Sequence, residues 1–373
     1  MGQQGYEYGR ASLGVHADDH LSTTRDVAAP INVSTTYKYD SDPEKLRVPD
    51  LDEDCYSRIS QPNSRRAEEI LGKLLDGNAV VYSSGLSAFH AAMLYYNPKR
   101  VFIGDGYHGC HSVLEVLKRN YKLEVLPLNS DPAKIQKGDV IHLETPVNPT
   151  GLAFDIEYFA KIAHAQGAYL VVDATFAPPP LSQPFNHGAD MIMHSATKYF
   201  GGHSDMLAGV LVTKDQEVKE NLLNDRHCMG TISASLESWL LLRSLRTYDL
   251  RITAQQQSAL KVIKFLTENK DNFPALDKVY HSSLQVEEFV KRQLPTGGSP
   301  VFSIELKTKD LAKTFPSKLN LFHHATSLGG AESLIEWRKL SDENVSDRLL
   351  RVSIGVENTE DLIEDLRQAL NKV

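Results

Sequence analysis

From Asn78 onward the chain repeats one pattern: a short apolar run, a few small or polar residues, then a helical stretch. The runs fall at residues 79–82, 100–103, 139–143, 169–172, 191–193 and 208–212. Each is short, bounded by turn residues, and fits a strand covered on both faces. Residues 86–95 and 156–165 are helical stretches between runs. Strands alternating with helices predict an α/β fold on a mainly parallel sheet, because parallel neighbours need a crossover connection. A larger domain over residues 51–245 follows from this pattern. Residues 1–50, with Pro30, Pro43 and Pro49 among polar neighbours, read as an extended N-terminal arm without a core of its own. Beyond the leucine-rich stretch 236–245 a smaller C-terminal domain is expected over residues 246–373, with one strand at 301–306. Near the end Leu350, Val352 and Ile354 alternate with Arg351 and Ser353. A strand there turns the apolar side chains inward and Arg351 outward.

Composition narrows the function classes. A chain of 373 residues can bury a large core and suits about two domains. Forty-eight acidic against forty basic residues leave a net charge of −8 without any long basic run, which argues against a nucleic-acid partner. Cys55, Cys110 and Cys228 are odd in number and widely spaced, a usage that suits a reducing, cytoplasmic compartment rather than a disulfide framework. No apolar run approaches a membrane span, and residues 1–10 lack the apolar core of a secretion signal. Gly2 does not start a myristoylation motif, since Tyr6 stands where Ser or Thr is required.

In open α/β sheets ligands bind outside the carboxyl ends of the strands. The runs end in Ser83-Ser84-Gly85, Asp105-Gly106-Tyr107-His108, Glu144-Thr145-Pro146, Asp173-Ala174-Thr175 and His194-Ser195-Ala196-Thr197-Lys198, so one crevice can collect all five. The turn at Ser84, Gly85 and Leu86 exposes backbone N–H groups at a helix N-terminus and suits a phosphate. A plain strand-to-helix turn has the same composition. Asp173 closes an apolar strand, where a carboxylate needs a cation or hydrogen-bond donors to offset burial. A cationic ligand nitrogen and a helix cap both satisfy that need. Ser195 and Thr197 place hydroxyls just ahead of Lys198, whose apolar surroundings suit a nucleophile or base, although a lone lysine is usually solvated. Tyr107 suits stacking on a flat ring and Arg351 suits a paired grip on a carboxylate, with packing and surface charge as the plainer readings. Gly85-Leu86-Ser87-Ala88-Phe89 begins like the nucleophile elbow of a serine hydrolase at Ser87, but Phe89 replaces its last glycine. His108, Cys110 and His111 lack a fourth ligand and a zinc spacing, so no metal is expected.

Several of these stretches resemble one family. Ser34-Thr35-Thr36-Tyr37, Tyr56-Ser57-Arg58, His194-Ser195-Ala196-Thr197-Lys198-Tyr199, Gly202-His203-Ser204-Asp205, Ser327-Leu328-Gly329-Gly330 and Arg351-Val352-Ser353-Ile354-Gly355 are similar to the Cys/Met metabolism (trans-sulfuration) family of pyridoxal-phosphate (PLP) enzymes. The resemblance implies the type I fold of PLP-dependent transferases, with residues 51–245 as the PLP-binding domain. It implies that Lys198 holds the cofactor as a Schiff base and acts in catalysis with Tyr107, which stacks on the ring. Asp173 would pair with the pyridine nitrogen, Thr175 would border the ring, and Asn148 would lie near the cofactor hydroxyl and the substrate. Ser84, Gly85, Leu86, Ser195 and Thr197 would hold the phosphate. Tyr56 and Arg58 would reach a neighbouring subunit's phosphate, making the active unit a dimer or tetramer with shared sites. Arg351 with Ser327 would receive the α-carboxylate of a small sulfur amino acid.

The expected activity is that of a carbon–sulfur lyase on L-cystathionine or a related cysteine thioether, by β- or γ-elimination. A cystathionine γ-synthase or O-acylhomoserine sulfhydrylase-type transferase is the alternative within the family, and a PLP-binding protein without turnover lies outside it. The departures bear on substrate more than on cofactor. Ala174 replaces a common Asn, and Cys110 lies one residue beyond the reactive cysteine of methionine γ-lyases. Cys55 and Thr326 stand where typical cystathionine γ-lyases and γ-synthases carry acidic residues, which argues against specificity for a distal ammonium group.

Overall fold

The computed structural model describes residues 8–51 and 53–373. The chain divides into two compact units, one of Met1–Asn97, Met193–Gly201 and Asp205–Leu250, the other of Pro98–Ile192, Gly202–Ser204 and Arg251–Val373. Its strands fall into two sheets, of seven and of five.

In the first unit the strand Asn78–Tyr82 pairs antiparallel with Gly209–Thr213, and Tyr82 lies opposite Gly209. A Cβ on Gly209 would collide with the carbonyl of Ser84, so only glycine lets this strand pass the turn. The helices Pro62–Leu75 and Gln216–Met229 are tied to the first strand by charge. Arg226 donates to Glu68 at 2.5 Å and to the Val81 carbonyl at 2.7 Å, while the Val81 N–H donates to Glu68 at 2.9 Å. The expected arm is extended only in part. It opens with the helix Arg10–His16, and Asp18, fully buried, accepts from Arg66 at 2.6 Å and from Arg246 at 2.6 and 2.8 Å. Further along, Val27, Val33 and Val48 are exposed by 103%, 73% and 88%, so the rest of the arm buries little apolar surface in its own chain.

The second unit holds four parallel strands side by side in the order Tyr169–Asp173, Val140–Glu144, Arg100–Ile103, Glu124–Pro127. The large sheet is therefore mainly parallel, as the alternation predicts. Its register sets Glu144 directly opposite Asp173. The five-stranded sheet runs in the order His323–His324, Leu334–Trp337, Leu349–Ser353, Val301–Leu306, Leu276–Tyr280. Phe302, Ile304, Leu350 and Val352 pack there against Val262 and Leu266 of the helix Tyr248–Glu268 and against Leu362 and Leu366 of the helix Thr359–Leu370. One expectation fails here: the strand Leu349–Ser353 is buried throughout, and Arg351, read as outward-facing, is only 4% exposed. Its guanidinium stays inside because buried acceptors meet it.

Asp18 yields the first prediction. Burial pushes its carboxyl up, but hydrogen bonds from Arg246 and Arg66 outweigh this and hold it below the usual carboxylate range. Its contribution is therefore complete above the unfolded value near about pH 4 and is lost as pH falls through the folded value. Asp18→Ala, which strands two guanidinium groups, should lower unfolding free energy by about 3 kcal/mol at neutral pH in denaturant titration. The difference from wild type should shrink in acid.

Candidate active site

In the first unit the helix Gly85–Tyr96 begins at Ser84, whose hydroxyl accepts from the Ser87 N–H at 3.0 Å. Ser195 lies over this turn: a Cβ on Gly85 would meet the Ser195 Cβ at 3.0 Å and its Oγ at 3.1 Å. Glycine thus keeps the helix N-terminus and the Ser195 hydroxyl close together, with Leu86 in the first turn. Thr197 is fixed to Ala208 through its backbone N–H at 3.1 Å and its hydroxyl at 3.1 to 3.2 Å. The backbone N–H of Lys198 donates to the Ser195 carbonyl at 3.1 Å, so the lysine, partly buried, sits on a tight turn. Arg58 donates to the His227 carbonyl at 2.9 Å, lies 5.7 Å from the ring centre of Tyr56, and Tyr56 is 44% exposed. Ser87 bonds two serine hydroxyls, those of Ser83 and Ser84, at 3.0 and 2.9 Å.

In the second unit one carboxylate arranges two expected site residues. Glu144 accepts from the backbone N–H of Tyr107 at 2.8 Å through Oε2 and of Asn148 at 2.7 Å through Oε1. Tyr107 precedes the helix His108–Tyr121 and keeps 39% of its surface exposed, as a stacking residue must. Asn148 is 7% exposed and accepts from Arg351 Nη1 at 3.1 Å. Arg351 Nη2 donates to the Ser327 carbonyl at 2.7 Å and to Glu336 at 2.6 Å. Ser327 reaches Arg351 through its backbone, held at φ 76°. Asp173 accepts twice from Thr175, from its N–H at 3.0 Å and its hydroxyl at 2.6 Å, both on Oδ1.

Burial and neighbouring charge shape the acids here. Burial first, then the charge of Asp173, pushes Glu144 up to about 8 despite its two backbone hydrogen bonds. Burial also raises Asp173, against the two bonds from Thr175. Two ionised carboxylates this close in a low-dielectric interior repel strongly, so one holds its proton. Burial, with Asp173 and Glu144 adding to it, pushes the Cys110 thiol well up, which suits a packed side chain rather than a nucleophile. His111 contacts the Gly104 carbonyl at 3.1 Å. Among the described residues no cluster of His, Cys, Asp and Glu could hold a metal, and no helix is long and apolar enough to cross a membrane.

Within each unit, then, the expected residues converge: Ser84, Gly85, Ser195 and Thr197 in one, Tyr107, Asn148, Asp173, Thr175, Ser327 and Arg351 in the other. Sequence alone assigned no role to Glu144, Glu336 or Arg338. Glu144 was visible as an acid ending an apolar run. Glu336 and Arg338 carry the same signal, charge set against the apolar residues Leu334, Ile335 and Trp337.

The chain belongs to the family of Cys/Met metabolism PLP-dependent enzymes, whose profile matches residues 11–371. It is 34% identical to a cystathionine gamma-lyase of Saccharomyces cerevisiae, with 97% of each chain covered. It is likewise 34% identical to a cystathionine beta-lyase of Lactococcus lactis subsp. cremoris, over 94% of this chain and 95% of that one. The solved structure of metB from Corynebacterium glutamicum superposes with a TM-score of 0.89 at 30% identity, covering 98% of both chains. Its cofactor is accordingly PLP, and the residues present fit that group. A glycine-floored helix N-terminus beside a serine hydroxyl suits the phosphate. A buried aspartate whose described hydrogen bonds occupy one oxygen suits a protonated ring nitrogen at the other.

The Glu144 shift makes a measurable prediction. A carboxyl protonated in the folded chain and ionised in the unfolded one lowers stability as pH rises between the unfolded value, about 4.3, and the folded one. Stability of the cofactor-free protein should therefore decline from about pH 5 toward pH 8 in urea titration. Glu144→Gln should flatten that decline.

Proposed function

We propose that this enzyme is a carbon–sulfur lyase that cleaves L-cystathionine or a related cysteine thioether, with residues 51–245 as its cofactor domain. Asp173 carries the reading: a buried carboxylate with both described hydrogen bonds on Oδ1 is the group needed beside a protonated pyridine nitrogen. When bound, PLP supplies an electron sink for the charge left at the substrate's Cα. Lys198 holds it covalently, Ser84, Gly85, Leu86, Ser195 and Thr197 cradle the phosphate, and Tyr107 and Thr175 flank the ring. Asp173 keeps the ring nitrogen protonated.

The chain's own groups do the rest. Arg351, with Asn148 and the Ser327 carbonyl fixing its guanidinium, clamps the α-carboxylate and so orients the Cα–H bond. Lys198 Nζ, freed when the substrate's own amine takes its place, accepts the α-proton and, as its conjugate acid, serves the departing sulfur. After hydrolysis by water, release of a thiol from the β-carbon leaves pyruvate and ammonia, and release from the γ-carbon leaves 2-oxobutyrate and ammonia. The enzyme works in the cytoplasm as a dimer or tetramer, with Tyr56 and Arg58 completing a neighbour's phosphate site. The exposed Val27, Val33 and Val48 of the arm and the 44% exposure of Tyr56 support that assembly.

Incubation with L-cystathionine, scoring pyruvate against 2-oxobutyrate, tests the proposal. Either product supports a lyase and names the bond cut; neither product, in protein carrying its cofactor, refutes it. Lys198→Ala should lower turnover by about a thousandfold or more. Arg351→Ala should chiefly raise KM, by about 2–3 kcal/mol in kcat/KM, through loss of charged hydrogen bonds.

A further inference from the structure

Arg351 meets the substrate as one member of an ion pair. Its Nη2 lies 2.6 Å from Glu336 Oε2, and the two side chains are only 5% and 3% exposed. A buried arginine already neutralised by a glutamate is a weak receptor for an anion, because an approaching carboxylate is repelled by the glutamate almost as strongly as the arginine attracts it. A second guanidinium alters that balance. Arg338 opens the short 3-10 turn Arg338–Leu340, is 4% exposed, and places Nη1 2.9 Å from the same Glu336 Oε2. The other oxygen of Glu336 takes the Ser341 hydroxyl at 2.6 Å, which adds no charge. Two arginines therefore share one carboxylate.

The count of charge follows. Among the described ion pairs, Arg351 and Arg338 against Glu336 leave one positive charge, on side chains that are almost wholly buried. Glu144, whose electrostatic surroundings include Arg338, does not cancel it at neutral pH because burial and Asp173 hold it protonated. Arg338 also acts on Tyr107, so its field reaches a residue of the candidate site. Within the protein Arg338 is incompletely satisfied, since its Nε is buried without a hydrogen-bond partner. A guanidinium serving only to brace Glu336 would leave the surplus charge unexplained. A ligand carrying one negative charge accounts for it.

We infer that Arg338 is a specificity-determining residue: it restores the positive charge that Glu336 removes from Arg351, and so makes this pocket a receptor for a carboxylate rather than for an uncharged amide or ester. This deepens the proposed function and rests on Arg351 receiving the α-carboxylate. Arg338 acts through the field and through the shared Glu336, with no contact to the reacting atoms.

The test compares L-alanine with L-alaninamide as ligands of the holoenzyme, following the visible absorption band and calorimetric heat. Arg338→Gln should raise Kd for L-alanine about tenfold or more, the effect of removing a unit charge a few ångströms away in a poorly solvated site, and leave that for the amide within about twofold. Arg338→Lys, which keeps the charge, should stay near wild type. The double variant Arg338→Gln, Glu336→Gln restores the net charge and should recover much of the L-alanine affinity, which a merely structural brace would not allow. Equal loss for both ligands, unchanged L-alanine binding in Arg338→Gln, or no recovery in the double variant would overturn the inference. If Arg338→Gln does not fold, Arg338→Lys and the double variant decide alone. If neither ligand perturbs the wild-type holoenzyme, the amino-acid site itself fails, and the inference with it.

Discussion

Two carboxylates facing each other across adjacent parallel strands constrain the second unit more than any other contact. Strand register puts Glu144 against Asp173 at the carboxyl ends of Val140–Glu144 and Tyr169–Asp173. A low-dielectric interior does not tolerate both as anions, so their roles separate. Glu144 becomes an acceptor for backbone N–H groups, and in that role it holds the backbone at Tyr107, just before the helix His108–Tyr121, and at Asn148. Asp173 takes both its described hydrogen bonds, from Thr175, on one oxygen, which fits the proposed pairing of the other with a cation. The same principle, one buried charge assigned to each function, governs the arginines: Glu336 aligns Arg351, and Arg338 offsets the charge that alignment removes.

The legible parts of the sequence were those with a strong local signal. Buried strands flanked by small and polar residues were found to within about a residue, because continuous apolar runs admit few alternatives. Asp173, Ser84 and Lys198 drew attention because each closes such a run or follows it within a few residues. The strand Glu124–Pro127 was not, since its alternation is weak and its side chains are half-exposed or exposed. Leu276–Tyr280 was missed for the same reason, with Asp277 and Lys278 breaking its pattern. Arg351 was given the wrong environment, since it is only 4% exposed. Alternation predicts which face a side chain takes, but only three-dimensional packing decides whether that face meets solvent or buried partners such as Asn148 and Glu336. Glu336 and Arg338 stood out only as charges among apolar residues; their charge balance with Arg351 is not encoded in any linear spacing.

The departures from the family pattern now read in physical terms. Cys110 is 1% exposed, with its thiol pushed up by burial and by nearby acids, so it packs rather than reacts. Ala174 is wholly buried. Cys55 meets Tyr39 at 3.7 Å within the arm's contacts. None of these supplies an anionic partner for a distal ammonium, whereas Arg338 adds positive charge. Both points fit the inference that the pocket selects for a carboxylate.

The central claim is that Lys198 carries the cofactor. Reduction of the purified, PLP-loaded protein with borohydride, followed by peptide mapping, tests it most directly. The protein should be yellow, lose its visible band on reduction, and carry the pyridoxyl label on the peptide containing Lys198 and on no other lysine. A protein that stays colourless after added PLP, or a label that settles on another lysine, would contradict it.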